Sequence, residues 1–135
     1  MALDQAASPI QGWGVRPVPS YPRIPALTTA VSREPEGVRL MLRGELDMSG
    51  VVETEAAVKA AAQLTDGRVV VDLTGLAFMD VFGARALLRV ADEVLSSGRD
   101  VVIANPNRHL RRLFELITDL APGRSLVADL VRPEA

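Results

Sequence analysis

The stretch Val69 to Leu95, VVVDLTGLAFMDVFGARALLRVADEVL, leaves few folds open to the chain. Three consecutive β-branched residues, Val69, Val70 and Val71, suit a strand covered on both faces. Asp72 interrupts the apolar run and Thr74-Gly75 reads as a turn, so the strand is expected to end there. A short hydrophobic bend, Leu76 to Met79, leads to Asp80, whose carboxylate can accept from the free N–H groups of a helix's first turn. From there Ala84, Leu87, Leu88, Ala91, Val94 and Leu95 keep the i, i+3, i+4, i+7 spacing of one helix face. Gly98 stands where such a helix would stop. The first turn, Val81-Phe82-Gly83, is made of weak helix formers. A segment chosen only to start a helix would not use them, so the bend and cap read as a surface made for contact.

Ahead of this stretch, Met1 to Pro25 carries Pro9, Pro17, Pro19, Pro22 and Pro25 and shows no periodicity. Proline removes backbone donors and forces the preceding residue extended, so an irregular tail is expected over 1–25 and a folded domain over 26–135. Trp13 and Tyr21 lie within the tail. Two readings stand: a loose leader, or a segment that lays Trp13 on the domain or on a partner.

Leu27 to Arg33 and Val38 to Leu46 read as strands joined by the turn Glu34-Pro35-Glu36-Gly37. Val38, Leu40 and Leu42 alternate with Arg39, Met41 and Arg43, the period of a half-buried strand. Asp47 or Ser49 can cap a helix over Val51 to Leu64, lined by Val51, Val58, Ala61, Ala62 and Leu64 and ended by Asp66-Gly67. After the central strand and helix, Asp100 to Ala104 predicts a short strand stopped by Asn105-Pro106. Leu110, Leu113, Phe114, Ile117 and Leu120 predict a third helix, ended by Ala121-Pro122-Gly123. Ser125 to Ala128 can add a last edge strand, and Asp129 to Arg132 a frayed turn. The order ββαβαβα implies an α/β domain: a mostly parallel sheet with right-handed crossovers and an antiparallel strand at its N-terminal edge.

Several function classes fall away. A net charge of −2 gives no long-range pull toward nucleic acid or an acidic membrane. The absence of cysteine excludes disulfides, thiol catalysis and cysteine-ligated metal. MALDQAASPIQGWG has neither a cationic n-region nor an apolar core, and no apolar run nears the ~20 residues of a membrane helix. A soluble, cytoplasmic protein with no membrane partner is expected. His109, the only histidine, reads as a solvated surface residue at the start of the third helix. Asp72 and Asp80 could be taken for paired carboxylates, but they read better as a strand-end cap and a helix cap. A two-component receiver domain would need an acidic pair near the first strand and a late lysine, and the only lysine is Lys59. Arg108, Arg111 and Arg112, with Glu115 one turn on, read as a solvated helical face. Arg85 and Arg89 lie one turn apart just past Phe82, off the apolar face, and are candidates for an interface. No catalytic constellation, metal set or cofactor loop emerges, so the chain is expected not to be an enzyme.

The run VDLTGLAFMDVFGARALL resembles the signature of STAS domains, named for sulfate transporters and anti-sigma-factor antagonists. That pattern is an apolar strand, Asp-Leu-Ser/Thr-Gly, an apolar pair, then Asp-Ser-Ser/Thr-Gly opening a helix. Asp72-Leu73-Thr74-Gly75, Phe78-Met79-Asp80 and Gly83 with the following Ala-Leu-Leu match it, and Gly44-Glu45-Leu46-Asp47 resembles the family's close to its second strand. The resemblance covers about Ala26 to Val131. It departs where bacterial antagonists carry the serine or threonine that a partner kinase phosphorylates: Val81 and Phe82 stand there, Phe82 next to the glycine.

The resemblance implies a mixed-sheet STAS fold without a cofactor, and a protein-interaction module that antagonises an anti-sigma factor. That partner would have a histidine-kinase-like ATPase fold, and its capture would free a sigma factor. The implied contact surface comprises Asp47, Ser49, Asp80, Val81, Phe82, Gly83, Arg85 and Arg89. In the family a phosphate of about −1.5 to −2 charges at the helix start ends the contact; with Phe82 in that place the switch is missing. Phe82 is then either an exposed aromatic anchor or a residue tucked into the core. The alternative function is a sensory or ligand-binding STAS module, in which Val81 and Phe82 shape a small-molecule pocket or a homodimer contact.

Overall fold

The computed structural model describes residues 26–120. The expectations for the tail over 1–25, the strand Ser125 to Ala128 and the turn Asp129 to Arg132 lie outside the described residues. Within them the order is β1 (Leu27–Glu34), β2 (Gly37–Leu46), a 3-10 turn (Met48–Gly50), α1 (Val51–Gln63), β3 (Arg68–Met79), α2 (Val81–Ser96), β4 (Val101–Ala104) and α3 (Arg108–Leu120). The sheet order is β1-β2-β3-β4. β1 runs antiparallel to β2 in an unbroken register from Leu27 opposite Gly44 to Glu34 opposite Gly37. β2–β3 and β3–β4 are parallel. This is the expected mixed sheet with its antiparallel N-terminal edge.

Alternation in β2 decides where the core lies. Val38, Leu40, Leu42 and Leu46 are fully buried, and Val69, Val71 and Leu73 of β3 and Val101 and Ile103 of β4 stand on the same side. Against them pack Val58, Ala61 and Ala62 of α1, Ala84, Leu87, Val90, Ala91 and Val94 of α2, and Leu110 and Phe114 of α3. The opposite side of the sheet holds a small separate cluster, Val70, Val102 and Ala104. It also holds an ionic group, in which Arg39 Nε donates to Glu34 Oε2 at 2.6 Å and Arg39 Nη1 to Asp72 Oδ2 at 2.8 Å.

Four expectations are corrected. The central strand does not end at Asp72, and Thr74-Gly75 is not a turn: β3 stays paired with β2 as far as Met79 opposite Leu46. Two register shifts, between Met41 and Arg43 and between Gly44 and Glu45 on the β2 side, absorb extra β3 residues as bulges. Asp72 is therefore not a strand-end cap. Its Oδ1 accepts from the Thr74 amide at 2.9 Å, from Thr74 Oγ1 at 2.6 Å and from Asn105 Nδ2 at 3.2 Å, while Oδ2 takes Arg39. Leu64 is exposed rather than lining the first helix; buried Thr54 takes a place on that face, which the alternating apolar pattern could not reveal. Neither Asp47 nor Ser49 caps α1. Its N-cap is Gly50 with no side-chain bond, and Asp47 caps the 3-10 turn instead.

Candidate functional site

Three chain segments meet where β2 and β3 end together. The Leu46–Met79 pairing brings Asp80 beside the 3-10 turn that follows β2. The Asp80 amide donates to the Leu46 carbonyl at 3.0 Å. Asp80 Oδ1 accepts from the Gly83 amide at 2.8 Å, the N-cap bond anticipated from the sequence, and Oδ2 accepts from the Met48 amide at 3.3 Å. One carboxylate thus holds both the start of α2 and the neighbouring turn. Gly83 completes the joint by absence: a Cβ there would lie 2.7 Å from both the Leu46 carbonyl oxygen and Leu46 Cγ. The helix start can sit this close to β2 only because position 83 has no side chain.

Asp47 does a similar task one segment earlier. Its Oδ1 accepts from the Ser49 amide at 2.9 Å and from Ser49 Oγ at 2.5 Å. Those two bonds, the hydroxyl first, hold the Asp47 carboxyl below the usual carboxylate range. Burial pushes the Asp72 carboxyl up, but bonds from the Thr74 hydroxyl and amide, Asn105 and Arg39 outweigh it and leave that group below its ordinary value.

With Asp80 and Gly83 turned inward, Val81 and Phe82 face outward. Phe82 is 54% exposed and Val81 44%. The reading that tucked Phe82 into the core is thereby excluded. Met48, in the turn bonded to Asp80, is 63% exposed, and Val52 in the first turn of α1 is 77% exposed. Sequence reasoning missed both. The available signal was that Val52 falls off the face marked by Val58, Ala61 and Ala62. Large apolar side chains held open to solvent on a rigid corner mark an interaction surface more often than a catalytic one.

The remaining candidates divide. Arg85 is exposed and makes no ion pair with a described residue, whereas Arg89 Nη2 donates to Glu55 Oε2 of α1 at 2.5 Å and so ties the two helices. Ser49 is exposed beside the patch. Elsewhere, His109 is exposed as expected, but it also stacks on Phe78, ring centroids 5.7 Å apart and planes 17° apart. No ion pair among the described residues joins Arg111 or Arg112 to Glu115. Among the described residues no cluster of three or more His, Asp or Glu side chains could hold a metal ion, and no helix is long and apolar enough to cross a membrane.

Comparison with known proteins follows the same lines. No curated protein matches the chain. Among solved structures, the unphosphorylated form of the anti-sigma factor antagonist SpoIIAA of Bacillus is 20% identical with a TM-score of 0.60, the match covering 80% of this chain and 89% of that one. An anti-sigma factor antagonist from Mycobacterium paratuberculosis is 20% identical with a TM-score of 0.61, over 79% of this chain and 97% of that one. The murine anion transporter Slc26a9 is 16% identical with a TM-score of 0.63, over 77% of this chain and only 17% of the transporter. At these identities the likeness is one of fold. A family model described as "Mlab, STAS domain" matches residues 29–118, two-thirds of the sequence, and the chain belongs to the STAS domain family.

Proposed function

We propose that the protein is a non-enzymatic, cytoplasmic interaction module that binds an anti-sigma factor of histidine-kinase-like ATPase fold, frees a sigma factor, and is not switched by phosphorylation at the helix start. The observation that carries this reading is the outward Val81-Phe82 pair on a joint fixed by Asp80 and Gly83. A large aromatic already held in place costs little conformational entropy on binding, and such residues dominate interface energetics. Met48, tied to the corner by its amide bond to Asp80, adds apolar area, and Arg85, one turn on from Phe82, adds a charge. Neither Val81 nor Phe82 has a hydroxyl to accept a phosphate. Support for the partner class comes from the antagonists of the same fold.

The ligand-binding alternative gains little from the described residues. The depression between the C-terminal ends of α1 and α2 is open to solvent, and five of its seven lining residues, Lys59, Gln63, Glu93, Ser97 and Arg99, are polar or charged. It does not match the apolar, enclosed form of a small-molecule site.

The test is a pull-down from lysate of the source organism with wild-type and Phe82→Ala baits, the captured proteins identified by mass spectrometry. Recovery of an ATPase-fold anti-sigma factor on wild type, at least tenfold reduced on Phe82→Ala with an unchanged melting temperature, is expected. If both baits recover it equally, the helix start is not the contact. If neither does, while a small molecule raises the melting temperature, the reading fails in favour of a sensory module.

A further inference from the structure

The sheet has two edges, and they are not alike. β4 is four residues long and buried throughout, so it offers no template for another strand. β1 is eight residues long, and Thr28 through Arg33 are all exposed. Its register against β2 contains no bulge, and from Leu27 to Ser32 it contains no charge and no proline. Those are devices by which edges are normally protected, and β1 has none of them before Arg33.

The direction of its free backbone groups follows from one hydrogen bond. The Glu45 amide donates to the Ala26 carbonyl at 2.5 Å, which makes Ala26–Glu45 a bonded pair of the antiparallel ladder. Bonded and non-bonded pairs alternate. Thr28, Ala30 and Ser32 therefore turn their backbone groups toward β2, opposite Arg43, Met41 and Arg39. Leu27, Thr29, Val31 and Arg33 turn theirs outward, where no described strand follows.

We propose that two copies of this chain pair through β1, antiparallel about a two-fold axis at Ala30, into one continuous eight-stranded sheet. Centred there, Leu27 faces Arg33, Thr28 faces Ser32, Thr29 faces Val31 and Ala30 faces its own copy. All the outward residues are then bonded, the small or β-branched side chains of Thr28 to Ser32 oppose one another, and no like charges meet. A second copy suits this edge better than a foreign strand because the strand is complementary to itself. Because β4 is buried and no other described strand offers an open edge, the pairing closes at a dimer instead of growing into a fibre. The contact lies on the sheet edge, two strands away from the one that leads into Phe82, and so goes beyond the proposed function and can fail independently of it.

The experiment uses the full chain. Sedimentation of wild type over a range of concentrations should show a mass of about 29 kDa, twice 14.5 kDa, at the high end. Ala30→Lys places like charges opposite each other at the axis while its own backbone bonds to β2 remain, and should sediment as a monomer with its melting temperature kept. Ala30→Glu should do the same, and an equimolar mixture of the two should restore the dimer. In hydrogen exchange the amides of Leu27, Thr29, Val31 and Arg33 should be protected in wild type and exchange at least tenfold faster in Ala30→Lys. A wild type that is monomeric at every concentration overturns the proposal. So does a dimer that survives Ala30→Lys, and one that disappears only on Phe82→Ala would place the contact at the α2 corner instead.

Discussion

Gly83 and Asp80 show how single residues set the corner where α2 begins. A Cβ at Gly83 would meet a backbone oxygen, Leu46 O, at 2.7 Å, and a backbone cannot swing aside as a side chain can. Gly83→Ala should therefore cost about 1–3 kcal/mol, the range of an overpacked core, read as a fall in the urea midpoint with the slope unchanged. An unchanged midpoint would mean that α2 sits further from β2 than described. Asp80→Ala removes the cap of α2 and leaves the Met48 amide without its acceptor. Cap loss alone is worth about 1 kcal/mol. Because both residues act on the same Leu46–Met48 segment, the double variant should cost less than the sum of the two. Phe82 behaves oppositely: exposed beyond half its surface, it should tolerate Ala with little change in stability, so that its loss is felt in binding alone.

At the scale of elements, β3 explains both what could be read from the sequence and what could not. Its first residues, Val69 to Val71, announce a strand, and Asp80 announces a helix, so the element order and the α2 cap were legible. Between them the buried residues are Leu73, Leu76 and Met79, a spacing of three. Strand patterns are sought at a spacing of two, and the bulges that change it depend on where β2 lies, which local sequence does not encode. Thr74-Gly75, with Asp72 bonding the Thr74 amide, has the chemistry of a turn but serves a bulge. Gly75 gives a direct check. Its φ is not positive, and a Cβ there would meet the Arg43 side chain, Cγ at 2.7 Å and Cβ and Cδ at 3.5 Å, and not a backbone atom. Gly75→Ala should thus cost less than Gly83→Ala, since a side chain and not the backbone has to shift, whereas a turn glycine with positive φ would carry backbone strain as well. The contact surface was legible in the same partial way. Val81 and Phe82 stood out as poor helix starters, but Met48 joins them only through the Asp80–Met48 bond, and the Arg89–Glu55 pair needs α1 and α2 side by side. Such pairings over thirty residues of chain leave no local trace.

For the molecule as a whole, the two sides of the sheet rest on different physics, and acid should separate them. The helix-covered side is apolar and indifferent to pH. The other side carries Arg39 between Glu34 and Asp72, with Thr74 and Asn105 also bonded to Asp72. Asp72 is the informative group, since its carboxyl is held below the ordinary value while its side chain is mostly buried. A carboxyl with a lower pKa when folded than when unfolded adds stability above the unfolded value, near 3.9, and that contribution drains away as pH falls through the folded value. Asp47 has the same sign, but its bonds to Ser49 are local, so its share should be small. The urea midpoint of wild type should therefore hold steady from neutral pH to about 5 and fall steeply below about 4. Asp72→Asn should start lower at neutral pH, by about 1–3 kcal/mol for lost bonds to charged groups, and show a flatter fall in acid. The two curves should converge at low pH, where the wild-type carboxyl is itself protonated. Parallel curves would remove Asp72 from the account and place the acid sensitivity with carboxylates elsewhere in the chain.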